Sequence, residues 1–216
     1  LEPAFKNNLT LNVSSLDDID IFESHKLSNE KIPNFHLKFD TGMTRLGINI
    51  SDASNVFERV KRNLGTECKG IYSHYATADE GDLSFANHQF SLFNDVIETA
   101  IEKEINFETI HFSNSGASIN LDQSKFDQVR VGMLLYGAYP SSEVPKDLPV
   151  EPVMEFCAPV VEVRKVKKNT PVSYGGVYKT PDDCTIGVVQ CGFADGIPRE
   201  WYKDCLLYTS DAADDP

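Results

Sequence analysis

The stretch FHLKFDTGMTRLGI, residues 35–48, sets the architecture. Its apolar and aromatic start predicts a β-strand over Asn34–Phe39, and the polar residues Lys38, Asp40 and Arg45 gather where that strand ends. The pattern recurs on either side, with strands predicted at Leu9–Val13, Gly70–Tyr75, Glu108–Phe112 and Gln128–Tyr136. Longer segments of helical period separate them. Ser51 is placed to cap a helix that buries Val56, Phe57, Val60 and Leu64 and stops at Gly65, a glycine suited to a left-handed end. A second helix, from about Phe85 to Glu104, sets Phe90, Phe93, Val96, Ile97, Ala100 and Ile101 on one stripe. Strands alternating with helices imply a parallel sheet.

Polar residues cluster past the other strand ends too: His74, Thr77 and Asp79, then His111, Asn114 and Ser115, then Arg130 and Gly132. Catalytic groups of a βα-barrel come from the C-terminal ends of several strands, so the expected fold is α/β. It would be a partial TIM (β/α)8 barrel, about the last five βα units, over residues 1–145, followed by a truncated all-β domain over 146–204. The run SSEVPKDLPVEP, residues 141–152, reads as a linker. Beyond it APVVEVRKV and TIGVVQCGF read as strands, the second running to a turn at Asp195-Gly196. Residues 205–216 are set apart as a non-native tail, because CLLYTSDAADD resembles the translated reading frame of a transposon adaptor used in sequencing libraries. The chain opens at Leu1, inside what reads as a connector, so both ends are expected to be cut.

With 216 residues, 41% hydrophobic and 25% charged, a disordered or fibrous chain is excluded. A net charge of −13 leaves no basic surplus for nucleic acid or an anionic membrane. No apolar run approaches the roughly 18 residues that span a bilayer. The five cysteines make no CxxC pair and no metal spacing, which fits reduced thiols in the cytoplasm.

Arg130 is the hardest polar residue to dismiss. An arginine within a Val/Leu/Met run cannot shed its charge and needs a partner or ligand to offset desolvation. His74 and His111 fit either catalysis or backbone-bonded core positions. Ser115 and Gly132 fit either turns or a barrel phosphate site, where backbone N–H groups converge. Arg45 fits either a site or a solvated helix start, and His25 and His88 lie in no polar company. A metal-dependent barrel hydrolase using His36, His74 and His111 is disfavoured, since His36 is read as facing away from the site and no HxH pair exists.

The strings FHLKFDTGMTRLGI, GIYSHYATADE, HFSNSGAS, VRVGMLLYGAYPS, PVSYGGVY and GFADGIPR, in this order, resemble the signature blocks of alanine racemases. These are fold-type III isomerases that use pyridoxal 5′-phosphate (PLP) and have a barrel followed by a β domain. The resemblance covers roughly Leu9 to Arg199. It implies interconversion of L- and D-alanine for peptidoglycan supply by a cytoplasmic homodimer with a shared site. Tyr174 would be one proton-transfer base, with His74 contacting it and Arg130 bonded to His74 while facing the cofactor's pyridine nitrogen. Ser115, Gly132 and Met133 would hold the phosphate. Arg45 and Met43 would meet the substrate carboxylate, with Lys38, carbamylated in some relatives, holding Arg45. Asp79, Phe193 and Arg199 would line the access channel, and Tyr174, Phe193 and Arg199 would serve the other subunit of a head-to-tail dimer. Two positions depart: Thr44 stands where the family usually has glycine, and Phe193 where it has tyrosine. The second base, the Schiff-base lysine, belongs to an N-terminal block that these residues do not contain, and neither Lys38 nor Lys69 replaces it. The chain as written is therefore expected to be inactive. The nearest alternatives are a serine racemase of the same fold and a non-catalytic PLP-binding barrel, the latter disfavoured by the β region carrying Tyr174.

Overall fold

The structure, a computed structural model, describes residues 1–28 and 30–198. Two compact units divide the chain, Leu1–Val153 and a second beginning at Met154. In chain order the first unit holds α1 (Glu2–Lys6), β1 (Leu11–Val13), α2 (Leu16–Leu27), β2 (Phe35–Asp40), β3 (Ile48–Asn49), α3 (Ala53–Arg59), β4 (Cys68–Tyr72), α4 (Ser84–Glu102), β5 (Thr109–His111) and α5 (Ser115–Asn120). Strands β1, β2, β4 and β5 form one parallel sheet in that order, with the short β3 paired to β2. Each neighbour in the main order is the next long strand, reached through a helix, which is the connectivity of a barrel segment.

Alternation along β2 divides the two layers. Phe35, Leu37 and Phe39 are fully buried on one face, and His36, Lys38 and Asp40 take the other. On the helix side, α2 begins in a reciprocal cap in which Ser15 Oγ accepts the Asp18 N–H and the Asp18 carboxylate accepts the N–H groups of Ser14 and Ser15. That cap sets Ile19 and Phe22 into the core, where Phe22 meets Phe35 edge-on with ring centroids 4.8 Å apart. Val56, Phe57, Val60 and Leu64 are all fully buried beside them. Helix α4 buries Ala86, Gln89, Phe93, Val96 and Ala100.

Several expectations need correction. Gln128–Tyr136 is not a strand: it makes one isolated parallel bridge, His111 to Gln128, and then turns into a 3₁₀ segment at Met133–Tyr136. The Asp127 carboxylate takes the Ile110 N–H at 2.7 Å, and Gly132 turns inward to Ser115, so a regular ladder never forms. Gly65 is right-handed, at φ −60°. A widened π turn over Val60–Leu64 absorbs the end of that helix, and no left-handed residue is needed. A 3₁₀ turn over Ile50–Asp52 leads into α3, and its cap is Asn49, whose side-chain Oδ1 accepts the Ser51 N–H, and not Ser51. Ile101 is exposed, lying about 100° round from Ala100 and off the buried stripe. Strand β4 ends at Tyr72, so Ser73–Tyr75 are loop. The proline-rich run from Ser141 has no regular structure yet packs back: Ser141 Oγ donates to the Asp79 carbonyl, Glu143 accepts the Gly81 N–H, and Val144 is buried.

The second unit consists of antiparallel pairs. Strand β6 (Val160–Val166) pairs with β9 (Cys184–Val189), and β7 (Pro171–Val172) with β8 (Tyr178–Lys179). Both expected strands of this region are present. A turn at Tyr174–Gly176 joins β7 to β8, with Gly175 and Gly176 at φ 71° and 58°. Arg199 and the tail from Cys205 lie outside the described residues. Among the described residues no helix is long and apolar enough to cross a membrane.

Candidate active site

Strand register builds the site in levels. Lys38 on β2, Tyr72 on β4 and His111 on β5 stand opposite one another, and His36 stands opposite Gly70 one level below. Gly70 has a steric reason: a Cβ there would come within 2.8 Å of the His36 ring, which lies across it. His111 stacks on Tyr72 at 4.5 Å between centroids, nearly parallel. Tyr72 in turn donates from its hydroxyl to Asn12 Oδ1 at 2.7 Å.

Arg130 occupies the centre. One guanidinium nitrogen, Nη2, donates to the carbonyls of Ser73 (2.8 Å) and Phe112 (3.2 Å) and reaches His74 Nδ1 at 3.1 Å. The other, Nη1, bonds His111 Nδ1. The group also lies 5.0 Å from the Tyr72 ring centroid. Arginine can only donate, so Nδ1 of each histidine must accept and each ring carries its proton on Nε2. His111 Nε2–H therefore donates onward to His36 Nδ1 at 2.9 Å. The result is a one-directional chain from Arg130 through His111 to His36.

Charge explains the protonation states. His74 is held down to about 4, first by burial, then by the positive charges of Arg130, Arg45 and Lys38. His111 is pushed down to about 3 by burial, then Arg130 and His36. Burial lowers His36 and, together with Arg45 and Arg130, lowers Lys38. Tyr72 is raised by burial against the pull of the two arginines. Among the described residues, no carboxylate pairs with Arg45, Lys38 or Arg130. Three cations without a paired carboxylate, Lys38 feeling Asp40 two residues along its strand, make with two neutral imidazoles a cluster suited to an anionic ligand.

Beside this cluster, Ser115 Oγ accepts the Gly132 N–H at 2.9 Å. A Cβ on Gly132 would meet nothing within 4 Å, so the space on the side-chain side of this residue is open while its N–H is held by Ser115. Buried Ser115 and open Gly132, followed by exposed Met133, fit a small phosphate-bearing group. Arg45 is exposed, and Met43 is half-buried in the same turn after β2. That turn is organised by Asp40, whose carboxylate accepts the N–H groups of Gly42 and Thr44. Thr44 sits at φ 52°, a conformation that suits glycine, so the threonine is strained there. Asp79 follows His74 in its loop, its Cβ packed against Gly116.

The structure thus brings together Lys38, His74 and Arg130, and separately Ser115 and Gly132. Tyr174, 63% exposed, and Phe193, in a 3₁₀ turn after β9, belong to the second unit. One expectation is overturned: His36 does not face away, because it shares its strand face with Lys38. Period-two counting from Lys38 carries that signal, and Leu37 is the residue facing out. Tyr72, the last residue of β4, carries no signal in the sequence, since an aromatic residue in an apolar run looks like core. The ring nitrogens of His36, His74 and His111 are directed at one another and at a guanidinium. Among the described residues no three side chains are placed to hold a metal ion.

Comparison with known proteins matches the family model for the alanine racemase N-terminal domain over residues 1–140 and that for the C-terminal domain over 153–212. The chain is 38% identical over 170 residues to alanine racemase 2 of Caldanaerobacter subterraneus, covering 78% of this chain and 44% of that protein. To the alanine racemase of Desulforamulus reducens it is 37% identical over 199 residues, covering 91% and 54%. Among solved structures, an alanine racemase from Streptomyces coelicolor superposes with a TM-score of 0.78 at 32% identity, covering 91% of this chain and 53% of that one. One from Clostridium difficile gives 0.74 at 30%, covering 92% and 52%. The chain spans about half the length of the curated relatives it matches.

Proposed function

The chain belongs to the alanine racemase family, and from that premise we propose that it forms part of the site of a cytoplasmic PLP-dependent racemase interconverting L- and D-alanine. The observation that carries this reading is the Arg130 guanidinium held between two neutral imidazoles, with no carboxylate paired to it among the described residues. PLP, when bound, supplies an electron sink for the Cα carbanion. Ser115, Gly132 and Met133 would hold its phosphate, because a buried hydroxyl and a glycine turn bordered by open space meet there.

Arg130 would donate to the pyridine nitrogen and, since a guanidinium keeps its proton, leave that nitrogen unprotonated. That arrangement would leave the cofactor a weaker electron sink, restrain side reactions, and leave proton transfer to the bases. His74 presents Nε2–H because its Nδ1 is occupied by Arg130, and a neutral donor stabilises a phenolate without protonating it. The phenol would be Tyr174 of a second copy of the chain, whose unperturbed pKa of about 10 makes such help necessary. Arg45, with Lys38 beside it, would take the substrate carboxylate through a two-pronged contact, near Met43. Asp79 would line the approach, with Phe193 and Arg199 contributed, like Tyr174, by the second copy. The opposing base is the family's Schiff-base lysine, to which none of these residues corresponds.

The test is racemisation of L-alanine by the full-length protein carrying these residues, with PLP added. Arg130→Gln should lower kcat by about 10²–10³-fold, the loss typical of one preorganised electrostatic donor. Wild-type kcat with that substitution sinks the reading, and a higher kcat/KM for L-serine than for L-alanine reassigns the substrate.

A further inference from the structure

Gln89 occupies a core position of α4 between Ala86 and Phe93, yet it is polar and fully buried. Its amide is completely used, and all of its partners belong to the two strand ends that form the site. Oε1 accepts the Ala76 N–H at 2.9 Å. Nε2 donates to the His74 carbonyl at 3.2 Å and to Thr41 Oγ1 at 3.3 Å. Ser73 Oγ donates to the Phe39 carbonyl at 2.7 Å, so the 2.8 Å bond between Thr41 and Ser73 takes its proton from Thr41. A single directed chain thereby runs from helix α4 through the end of β2 to the end of β4. The segment it holds is the one whose Ser73 carbonyl and His74 ring receive Arg130.

We propose that Gln89 is a positioning residue: with Thr41 it clamps the turn after β4 to the end of β2 and so fixes the His74 imidazole on Arg130. An apolar residue of the same size satisfies the helix stripe equally well, so packing alone does not call for glutamine. A buried amide is costly unless every group is paired, and here each pairing falls on this turn. The effect on activity rests on the catalytic reading of His74 given above, whereas the effect on the imidazole does not.

The experiment compares Gln89→Leu and Thr41→Val in the full-length protein with Phe93→Leu, a purely apolar change one turn along the same helix. The readouts are the ring ¹⁵N pattern of His74, hydrogen exchange of the Ala76 amide, and kcat and KM for L-alanine. Gln89→Leu should convert the pure Nε2–H pattern of His74 to a tautomer mixture and deprotect Ala76. It should also lower kcat roughly tenfold to a hundredfold with much less change in KM. Thr41→Val should move the same readouts less, and Phe93→Leu should lower thermal stability while leaving His74 unchanged. If Gln89→Leu fails to fold, Thr41→Val decides alone. A folded Gln89→Leu or Thr41→Val with the parent's His74 pattern overturns the clamp, and so does an equal change in Phe93→Leu. A shifted His74 pattern with unchanged kcat leaves the clamp standing and removes His74 from the catalytic reading.

Discussion

Strands β2 and β6 have similar sequence rhythm and opposite fates. In β2 the apolar set Phe35, Leu37 and Phe39 is fully buried beneath helices of its own unit. In β6 the apolar set is exposed: Val161 is 57% accessible and Val163 64%. Alternation specifies which face is apolar, but burial requires a second layer, and only the first unit supplies one from its own described residues. The same contrast holds for polar groups. The first unit buries Lys38, Thr41, Ser73, Gln89, His111, Ser113 and Ser115, nearly all of them around the site. Among the described residues of the second unit, Thr180 is the one buried polar side chain.

The sharpest way to break this comparison is to cut the same kind of side chain in each unit. Phe57→Ala should lower unfolding stability by about 3–5 kcal/mol, because the ring is fully buried and touches Phe39 and Phe107. Val163→Ala should stay within about 0.5 kcal/mol, as expected at an exposed site. Urea midpoints measure both, and comparable losses would erase the distinction between the units.

A middle-sized effect is acid sensitivity, which should belong to the first unit, where all five histidines lie. His74 and His111 titrate near 4 and 3 in the folded state, below the ordinary value near 6.5. The unfolded chain therefore binds more protons in that window. Their contribution is complete above pH 6.5 and is lost as pH falls toward 4, by roughly 2–3 kcal/mol per imidazole at most. Stability measured at pH 7 and pH 4.5 should differ more in the parent than in His111→Asn, and an equal difference in both counts against this assignment.

The smallest effect sharpens the comparison at the backbone. Thr44 in the first unit and Asn169 in the second both sit at positive φ, 52° and 61°. Thr44→Gly should raise stability by about 1 kcal/mol, since a β-branched side chain is strained there, while Asn169→Gly should change little because asparagine tolerates that region. Thermal midpoints of the two variants check the difference. The glycine that the resemblance places at the Thr44 position would have a physical reason in this turn.

Much of the first unit is legible along the chain because its signals are local. Strands β1, β2, β4 and β5, the buried residues of α3 and the π turn after it, and the clustering of polar groups past strand ends all follow from patterns a few residues long. The sequence misleads where a non-local partner or a local change of period decides. Val129 and Val131 look like strand residues, but Asp127 and Ser115 capture the amides that a ladder needs. Gly65 resembles a helix stop, yet the widened turn before it removes the need for one. His36 lies next to Leu37 in the sequence, but the two-residue period of the strand places it on the Lys38 face.

By itself, the order of residues determined the parallel α/β layering, the family, and which strand ends carry Lys38, His74 and Ser115. Only the tertiary structure decided that Lys38, Tyr72 and His111 share one level, that protons run from Arg130 through His111 to His36, and that Gln89 belongs to the site. The reason is physical. Periodicity records which side of an element is buried, whereas register, tautomer and hydrogen-bond direction depend on donors and acceptors that meet only when distant strands pair.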